Sequence, residues 1–336
     1  MEKKRSKIGI WMDNARSISL PQSILPAILA VSMSAAVPGF SWWMALIAVF
    51  GVACAHLGMN LADDYFDYQV SSGEKRTELA SEGLRARIAK YPYLTSGEAT
   101  VGQLRTAIFA FLSIAVCCGL VLAFFRDWPV LAILAIGGLL GISYSGFPFR
   151  LCYYGYGELV IGLMFGPLLM TGVKYASCGV FGTDIVLVSI AVGMLVTNIL
   201  YMHSIMDAVP DAKMDKMTFA RLLKRPVPIL AAAWIFILVP FALIAAGVIA
   251  GVLHPAYCSV VILLPMAIYL GRSITDFVYQ RPLEIRLRPW MGPMGNFPAY
   301  EQAGIGWFML RWLIARNLLS FFCLIIAIVN IVLAII

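Results

Sequence analysis

Charge is scarce in this chain. Only 13% of its 336 residues are Asp, Glu, Lys or Arg, against 61% hydrophobic, and the mean hydropathy is +0.86. No soluble globular domain needs so apolar a composition for its core, which excludes that class. Cysteine pairing signals are also absent. The seven cysteines form no C-x-x-C, and most, including the neighbours Cys117 and Cys118, sit inside apolar runs. They read as packing residues, not as disulfide or zinc ligands. The first apolar run follows Lys3, Lys4, Arg5, Lys7 and Arg16 but lacks a small-residue cleavage site, so it reads as a retained span instead of a signal peptide.

What the chain has in abundance is hydrophobic runs of about 20 residues, each long enough to cross a hydrocarbon layer of roughly 30 Å. The runs predict spans near 19–37, 42–58, 101–125, 129–144, 159–175, 185–206, 227–252, 257–274 and 312–336. The expected fold is therefore all-α: a polytopic integral membrane bundle of about nine transmembrane helices, forming a single domain over 1–336. The net charge of +7 invites a nucleic-acid reading, but the basic residues, apart from Arg126 and Lys174, fall in the N-terminal tail and around alternate loops. That is the positive-inside pattern. It predicts contact with membrane lipid and no nucleic acid, a cytoplasmic N-terminus, and a C-terminus outside, in a bacterial inner membrane.

Two acidic groups stand at the inner ends of even-numbered spans. In N-L-A-D-D-Y-F-D, Asn60, Asp64 and Asp67 stand at i, i+4 and i+7 of a helix and share a face, with Asp63 on its shoulder. In D-A-V-P-D-A-K-M-D-K-M-T, Asp207, Asp211 and Asp215 follow span 6, and Pro210 predicts a bend or end of that helix, with the later acids in a short ordered loop. The shared D-x-x-x-D spacing hints at a pseudo-repeat of spans 1–4 and 5–8. Acids at a solvated helix end are common and carry no function by themselves. Crowded carboxylates at a membrane boundary repel one another and lose hydration, which makes sense once a cation sits among them. Oxygen-only ligands suit Mg²⁺, which keeps waters and shares its shell with phosphate oxygens.

If the groups face each other across the bundle, they would hold Mg²⁺, while the flanking basic loops hold an anion. Lys75, Arg76, Arg85, Arg87 and Lys90 lie in the loop after the first group, and Lys213, Lys216, Arg221, Lys224 and Arg225 follow the second. The natural anion for a site open to lipid is an isoprenoid diphosphate, and metal and basic groups stabilise the leaving diphosphate. Tyr65, Phe66, Tyr144, Tyr153 and Tyr201 are candidates to shield an allylic cation, or else interfacial belt aromatics. A transporter is the rival of another class. It would carry acids at mid-bilayer, whereas here the middles of the spans are apolar.

The first group resembles the first aspartate motif of the UbiA-type membrane prenyltransferases, and its N-L-x-x-D-Y-x-D form is similar to that of the 1,4-dihydroxy-2-naphthoate polyprenyltransferases. The second group resembles their D-x-x-x-D-x-x-x-G-K-x-T motif. A-R-S-I-S-L-P, L-T-S-G-E-A-T, S-Y-S-G-F-P, Y-Y-G-Y-G-E-L and F-G-P-L agree as well. The resemblance implies a nine-helix bundle with a lateral opening, in which Asn60, Asp64, Asp67, Asp207 and Asp211 bind Mg²⁺ and diphosphate. It implies that Lys216 contacts diphosphate and that Tyr144 lies near the scissile bond. Asp64, Asp211 and Tyr144 would then carry catalysis, with Asn60, Asp63, His203 and Arg150 beside the substrates. The partners implied are a polyprenyl diphosphate and an aromatic acceptor, with no obligatory protein partner. Dihydroxynaphthoate is the expected acceptor, and 4-hydroxybenzoate, haem and glycerophosphate branches are the alternatives.

The chain departs from the family at several places. Asp215 replaces a Gly, His203-Ser204 an Asn-Asn or similar pair, Tyr91 an Arg before Pro92, Ser17 a proline, and Tyr154 a frequent basic residue. His203 fits either a base or acceptor contact or a histidine bonded within the bundle. Arg16, Arg150, Arg286 and Arg288 fit either an acceptor carboxylate or the role of positive-inside anchors.

Overall fold

The computed structural model describes residues 7–70, 91–282 and 285–335. Its architecture follows from apolar helices long enough to satisfy their own backbone in lipid. In chain order they are α1 (Lys7–Asn14), α2 (Pro21–Ser32), α3 (Trp42–Val70), α4 (Val101–Arg126), α5 (Trp128–Ser145), α6 (Gly157–Cys178), α7 (Thr183–Met206), α8 (Pro226–Ile249), α9 (Pro255–Val278) and α10 (Gly306–Ile335). Eight of them, α3 to α10, are long and apolar enough to cross a membrane. Expected and observed bounds of these eight differ by a few residues, except that α3 and α10 run further into the acidic and basic ends.

The first span is shorter than expected: α2 has 12 residues, not the stretch 19–37. The Ser32 and Ser34 hydroxyls bond back to the carbonyls of Leu29 and Ala30, and the chain leaves helical pairing there. Pro38 and the left-handed Gly39 (φ 83°) complete the turn into α3.

α7 is the hub of the bundle. It packs against α6, α8 and α10, and 72% of its apolar window is buried. α4 and α5 sit at the periphery, with 17% buried in each. The crossing of α6 and α7 depends on small residues. A Cβ on Gly166 would meet the Gly193 backbone, and one on Gly162 would run into Thr197 and the Gly193 carbonyl. Close backbone approach of this kind is how helices bind one another without a hydrophobic drive between them. At Pro167 the helix widens into a π turn, Met164–Leu168, which absorbs the missing donor.

At the end remote from the acidic groups, the two cations that break the positive-inside pattern are held by protein. Lys174 lies 2.5 Å from Asp184, and Arg126 donates to the carbonyls of Gly39, Ala176 and Ser177. α3 has 29 residues, a length of roughly 43 Å, so its last turns extend past a hydrocarbon layer of about 30 Å. Those turns carry Asn60 to Asp67. A second, smaller apolar cluster of Leu57, Leu61, Tyr93, Leu94 and Leu104 seats them against the start of α4.

Candidate active site

The last turns of α3 are wrapped by the turn after α1. Arg16 sits there in the left-handed region (φ 58°) and donates to the Asn60 carbonyl at 2.7 Å. Its guanidinium lies 3.3 Å from both Asp63 and Asp64. The cation that the crowded acids demand is thus, in this structure, an arginine from the chain itself. Burial disfavours the Arg16 charge, but Asp64 and then Asp63 more than offset this and hold it protonated. Arg16 is therefore not a solvated positive-inside anchor.

Asp64 is fully buried and also accepts from the Tyr93 hydroxyl at 3.0 Å. Burial first, and then the charge of Asp64, push the Tyr93 phenol above its usual range. Asp67, also buried, accepts from the Tyr153 hydroxyl at 2.7 Å.

α7 ends at Met206, and Asp207 (φ −95°, ψ 12°) marks the break. The chain then forms a short helix, Ala208–Lys213, in which Pro210 occupies the first turn, where a missing N–H is no loss. Asp211 lies in this helix and not in the expected loop, because Pro210 in the first turn lets helical pairing resume, and its carbonyl accepts from the Lys216 N–H at 3.0 Å. Asp215 adopts φ 54°, the left-handed conformation that a glycine would take without strain. The segment is fastened by Glu158 of α6, a buried carboxylate that accepts from the Ser204 hydroxyl and the Phe219 N–H.

One turn ties the two acidic segments together. Tyr153 bonds Asp67 through its hydroxyl and takes the Met217 N–H on its carbonyl at 3.2 Å. Both segments also open onto one cavity of about 650 Å³. Its polar end is lined by Asn60, Asp63, Tyr144, His203, Asp207 and Lys216, and the rest by apolar residues of α3 to α7. On α3 the lining runs from Ile47 to Asp63, a rise of roughly 24 Å at about 1.5 Å per residue.

Of the residues singled out from sequence, Asp64, Asp67, Asp211 and Arg150 do not line the cavity. Asp64 and Asp67 are buried against Arg16, Tyr93 and Tyr153, and Asp211 is buried in the short helix Ala208–Lys213. Arg150 stacks its guanidinium over Tyr153 at 3.9 Å and over Phe147 at 4.9 Å. His203 stands 3.6 Å from Asp207 with its ring against Phe308. Among the five aromatic candidates only Tyr144 lines the cavity. The others serve packing or hydrogen bonds, as Tyr201 does by donating to the Ile229 carbonyl. The basic residues 75–90 lie outside the described residues. Sequence reasoning missed Tyr93 and Glu158, and it also passed over His56, which is buried on the cavity wall between Ser19 and Ser23. No local pattern marks any of the three, because each acts through partners far away in the chain.

The donors suit a hard cation. Asn60 spends both amide hydrogens on Ala15 and Ser19, which turns its carbonyl oxygen away from them, and the neighbouring ligands are carboxylates. Among the described residues no three His, Cys, Asp or Glu side chains converge tightly enough to enclose a metal alone. A cation here would complete its shell with water or phosphate oxygens, the habit of Mg²⁺.

The description "UbiA prenyltransferase family" fits residues 23–286 of the chain. A 1,4-dihydroxy-2-naphthoate octaprenyltransferase of Mycobacterium tuberculosis is 28% identical over 214 residues, covering 62% of this chain and 68% of that one. A 2-carboxy-1,4-naphthoquinone phytyltransferase of Synechocystis is 34% identical over 91 residues, or 26% and 30% of the two chains. The structure of a UbiA homolog from Archaeoglobus fulgidus bound to DMAPP and Mg²⁺ superposes with a TM-score of 0.58 at 14% identity, covering 95% of this chain and 99% of that one.

Proposed function

From the premise that this chain belongs to the UbiA prenyltransferase family, and is a membrane-embedded enzyme that transfers prenyl groups, we propose that it joins a polyprenyl chain to 1,4-dihydroxy-2-naphthoate in menaquinone biosynthesis, with Mg²⁺ as cofactor. The observation that carries this reading is the cavity shared by the two acidic segments, polar at the acidic end and apolar for the remaining length. A diphosphate fits the first part and an isoprenoid tail the second.

In this reading Asn60 and Asp207 on the cavity wall, with Asp64, Asp67 and Asp211 of the same two segments, would hold Mg²⁺ with the diphosphate, and Lys216 would bind a phosphate oxygen. When bound, the metal supplies electrophilic stabilisation of the departing diphosphate. Diphosphate leaves with the electron pair of the C1–O bond. Tyr144, on the cavity wall, offers its ring face to the allylic cation, an attraction of about 0.5–2 kcal/mol. The acceptor ring carbon forms the new C–C bond, and the ring regains aromaticity when its carboxylate leaves as CO₂. The apolar wall excludes the water that would otherwise trap the cation. Asp63 and His203, which line the polar end, would stand beside the head groups, whereas Arg150 would act only through the Tyr153 ring it covers, and the acidic end would face the cytoplasm. The similarity to octaprenyl and phytyl enzymes supports naphthoate as the common acceptor and leaves the donor length to the cavity.

The test is direct. Full-length protein in proteoliposomes, given labelled polyprenyl diphosphate, dihydroxynaphthoate and Mg²⁺, should form a labelled lipophilic product and release CO₂. Asp64→Ala and Asp211→Ala should abolish the product. Absence of product from folded wild-type protein across a panel of aromatic acids would overturn the proposal, and product without CO₂ would overturn the acceptor.

A further inference from the structure

His56 lies one helical turn before Asn60 on α3, 7% exposed, with its ring 4.9 Å from that of Phe165 on the cavity wall. Neither acidic group includes it, and the reaction described above makes no use of it. Its two nitrogens are nonetheless committed. Nδ1 lies 2.6 Å from the Ser23 hydroxyl, and Nε2 lies 3.2 Å from that of Ser19.

The hydrogen-bond network assigns the tautomer. Ser19 has one proton, and its shortest contact is to the Arg16 carbonyl at 2.7 Å, so it donates there. Towards His56 it must accept, which puts a proton on Nε2. Nδ1 then accepts from Ser23, whose 2.6 Å contact is shorter than its 3.1 Å approach to the Leu20 carbonyl.

The remaining lone pair of Ser19 takes an amide hydrogen of Asn60 at 3.1 Å, and the other amide hydrogen goes to the Ala15 carbonyl at 3.0 Å. Both amide hydrogens of Asn60 are thereby spent. Flipping the carboxamide would aim its oxygen at the Ala15 carbonyl, so the orientation is locked. Asn60 is only half-buried and lines the cavity, and its oxygen has no protein partner among the described residues.

We propose that His56 is a positioning residue: fixed between Ser23 and Ser19, it locks Asn60 with the carbonyl oxygen presented to the cavity as a cation ligand. The proposal rests on the reading of Asn60 given above. Partners of this kind, behind a ligand, set its direction and govern metal affinity.

Mn²⁺ binding to full-length protein in nanodiscs, with inorganic diphosphate present, tests it by electron paramagnetic resonance without any turnover. Asn60→Ala should weaken Mn²⁺ binding, and His56→Leu should weaken it by about 10- to 100-fold. Ser19→Ala, which removes the same link from the other side, should do the same. His56→Gln restores a donor and an acceptor and should stay within about threefold of wild type. The double variant His56→Leu/Asn60→Ala should bind no more weakly than Asn60→Ala alone, the non-additivity expected of residues acting through one contact.

If Asn60→Ala loses affinity while His56→Leu and Ser19→Ala keep it, the proposal is overturned and the metal reading stands. Additive losses in the double variant overturn it as well. If Asn60→Ala itself binds Mn²⁺ like wild type, both the proposal and the ligand role of Asn60 fall.

Discussion

Replacing Arg16 by Met keeps an unbranched, flexible stem and removes the charged guanidinium. The side chains of Arg16, Asp63 and Asp64 are 17%, 14% and 0% exposed, so solvent screens the trio little. Removing one partner of a buried ion pair leaves uncompensated charge and costs about 3–5 kcal/mol. The bond from Arg16 to the Asn60 carbonyl is lost as well. The variant should therefore unfold far more readily than wild type in EDTA. Mg²⁺ at 100 times its Kd stabilises any protein that binds it only when folded by about 2.7 kcal/mol. Bound as proposed, that ion would meet carboxylates that Arg16 already neutralises in wild type, whereas in the variant it would replace the missing cation. Thermal unfolding in nanodiscs, followed by tryptophan fluorescence with EDTA and with Mg²⁺, should show the larger metal-dependent gain in Arg16→Met. An apo variant within about 1 kcal/mol of wild type, or equal gains for both proteins, would refute the idea that arginine and metal answer the same crowded charge.

Asp215→Gly should retain the wild-type rate and gain up to about 1 kcal/mol of stability, because position 215 already holds a left-handed backbone (φ 54°) that glycine adopts freely. A dead Asp215→Gly enzyme in the transfer assay would mean that this carboxylate is a ligand. Gly166→Ala should destabilise the bundle by about 1–3 kcal/mol, since the added methyl group meets the Gly193 backbone and the Ser189 carbonyl at 2.5 Å. Denaturant titration of the folded fraction reads this directly. Tyr93 keeps its proton in the folded state above its ordinary value of 10.0 and loses it there when unfolded. The unfolded chain then binds fewer protons, so stability falls as pH rises past about 10. Unfolding midpoints between pH 8 and 11 should fall less steeply in Tyr93→Phe.

Much of this molecule was legible from residue order. Eight spans fall where apolar runs end in Gly, Pro or charge, because lipid demands the same long uninterrupted helices whatever they pack against. The shared face of Asn60, Asp64 and Asp67 follows from helical periodicity alone. What was hidden depends on pairing between distant segments. Arg16 looks like any basic residue before a first span, and only the folded turn sets it against carboxylates 47 and 48 positions later. Tyr93 and Glu158 look like an interfacial tyrosine and a helix-start acid. His56 sits in an apolar run with no polar neighbour in sequence. The first span ends at Ser32 although the sequence stays free of charge as far as Val37, an ending that hydropathy does not register.

The peripheral placement of α4 and α5 has a consequence for traffic into the enzyme. Both line the cavity, yet few of their residues are buried inside the protein. The chamber is therefore separated from the bilayer by a partition one helix thick. In the proposed reaction a lipid-soluble donor would cross that partition sideways from a two-dimensional reservoir, and its product would return the same way without ever partitioning into water.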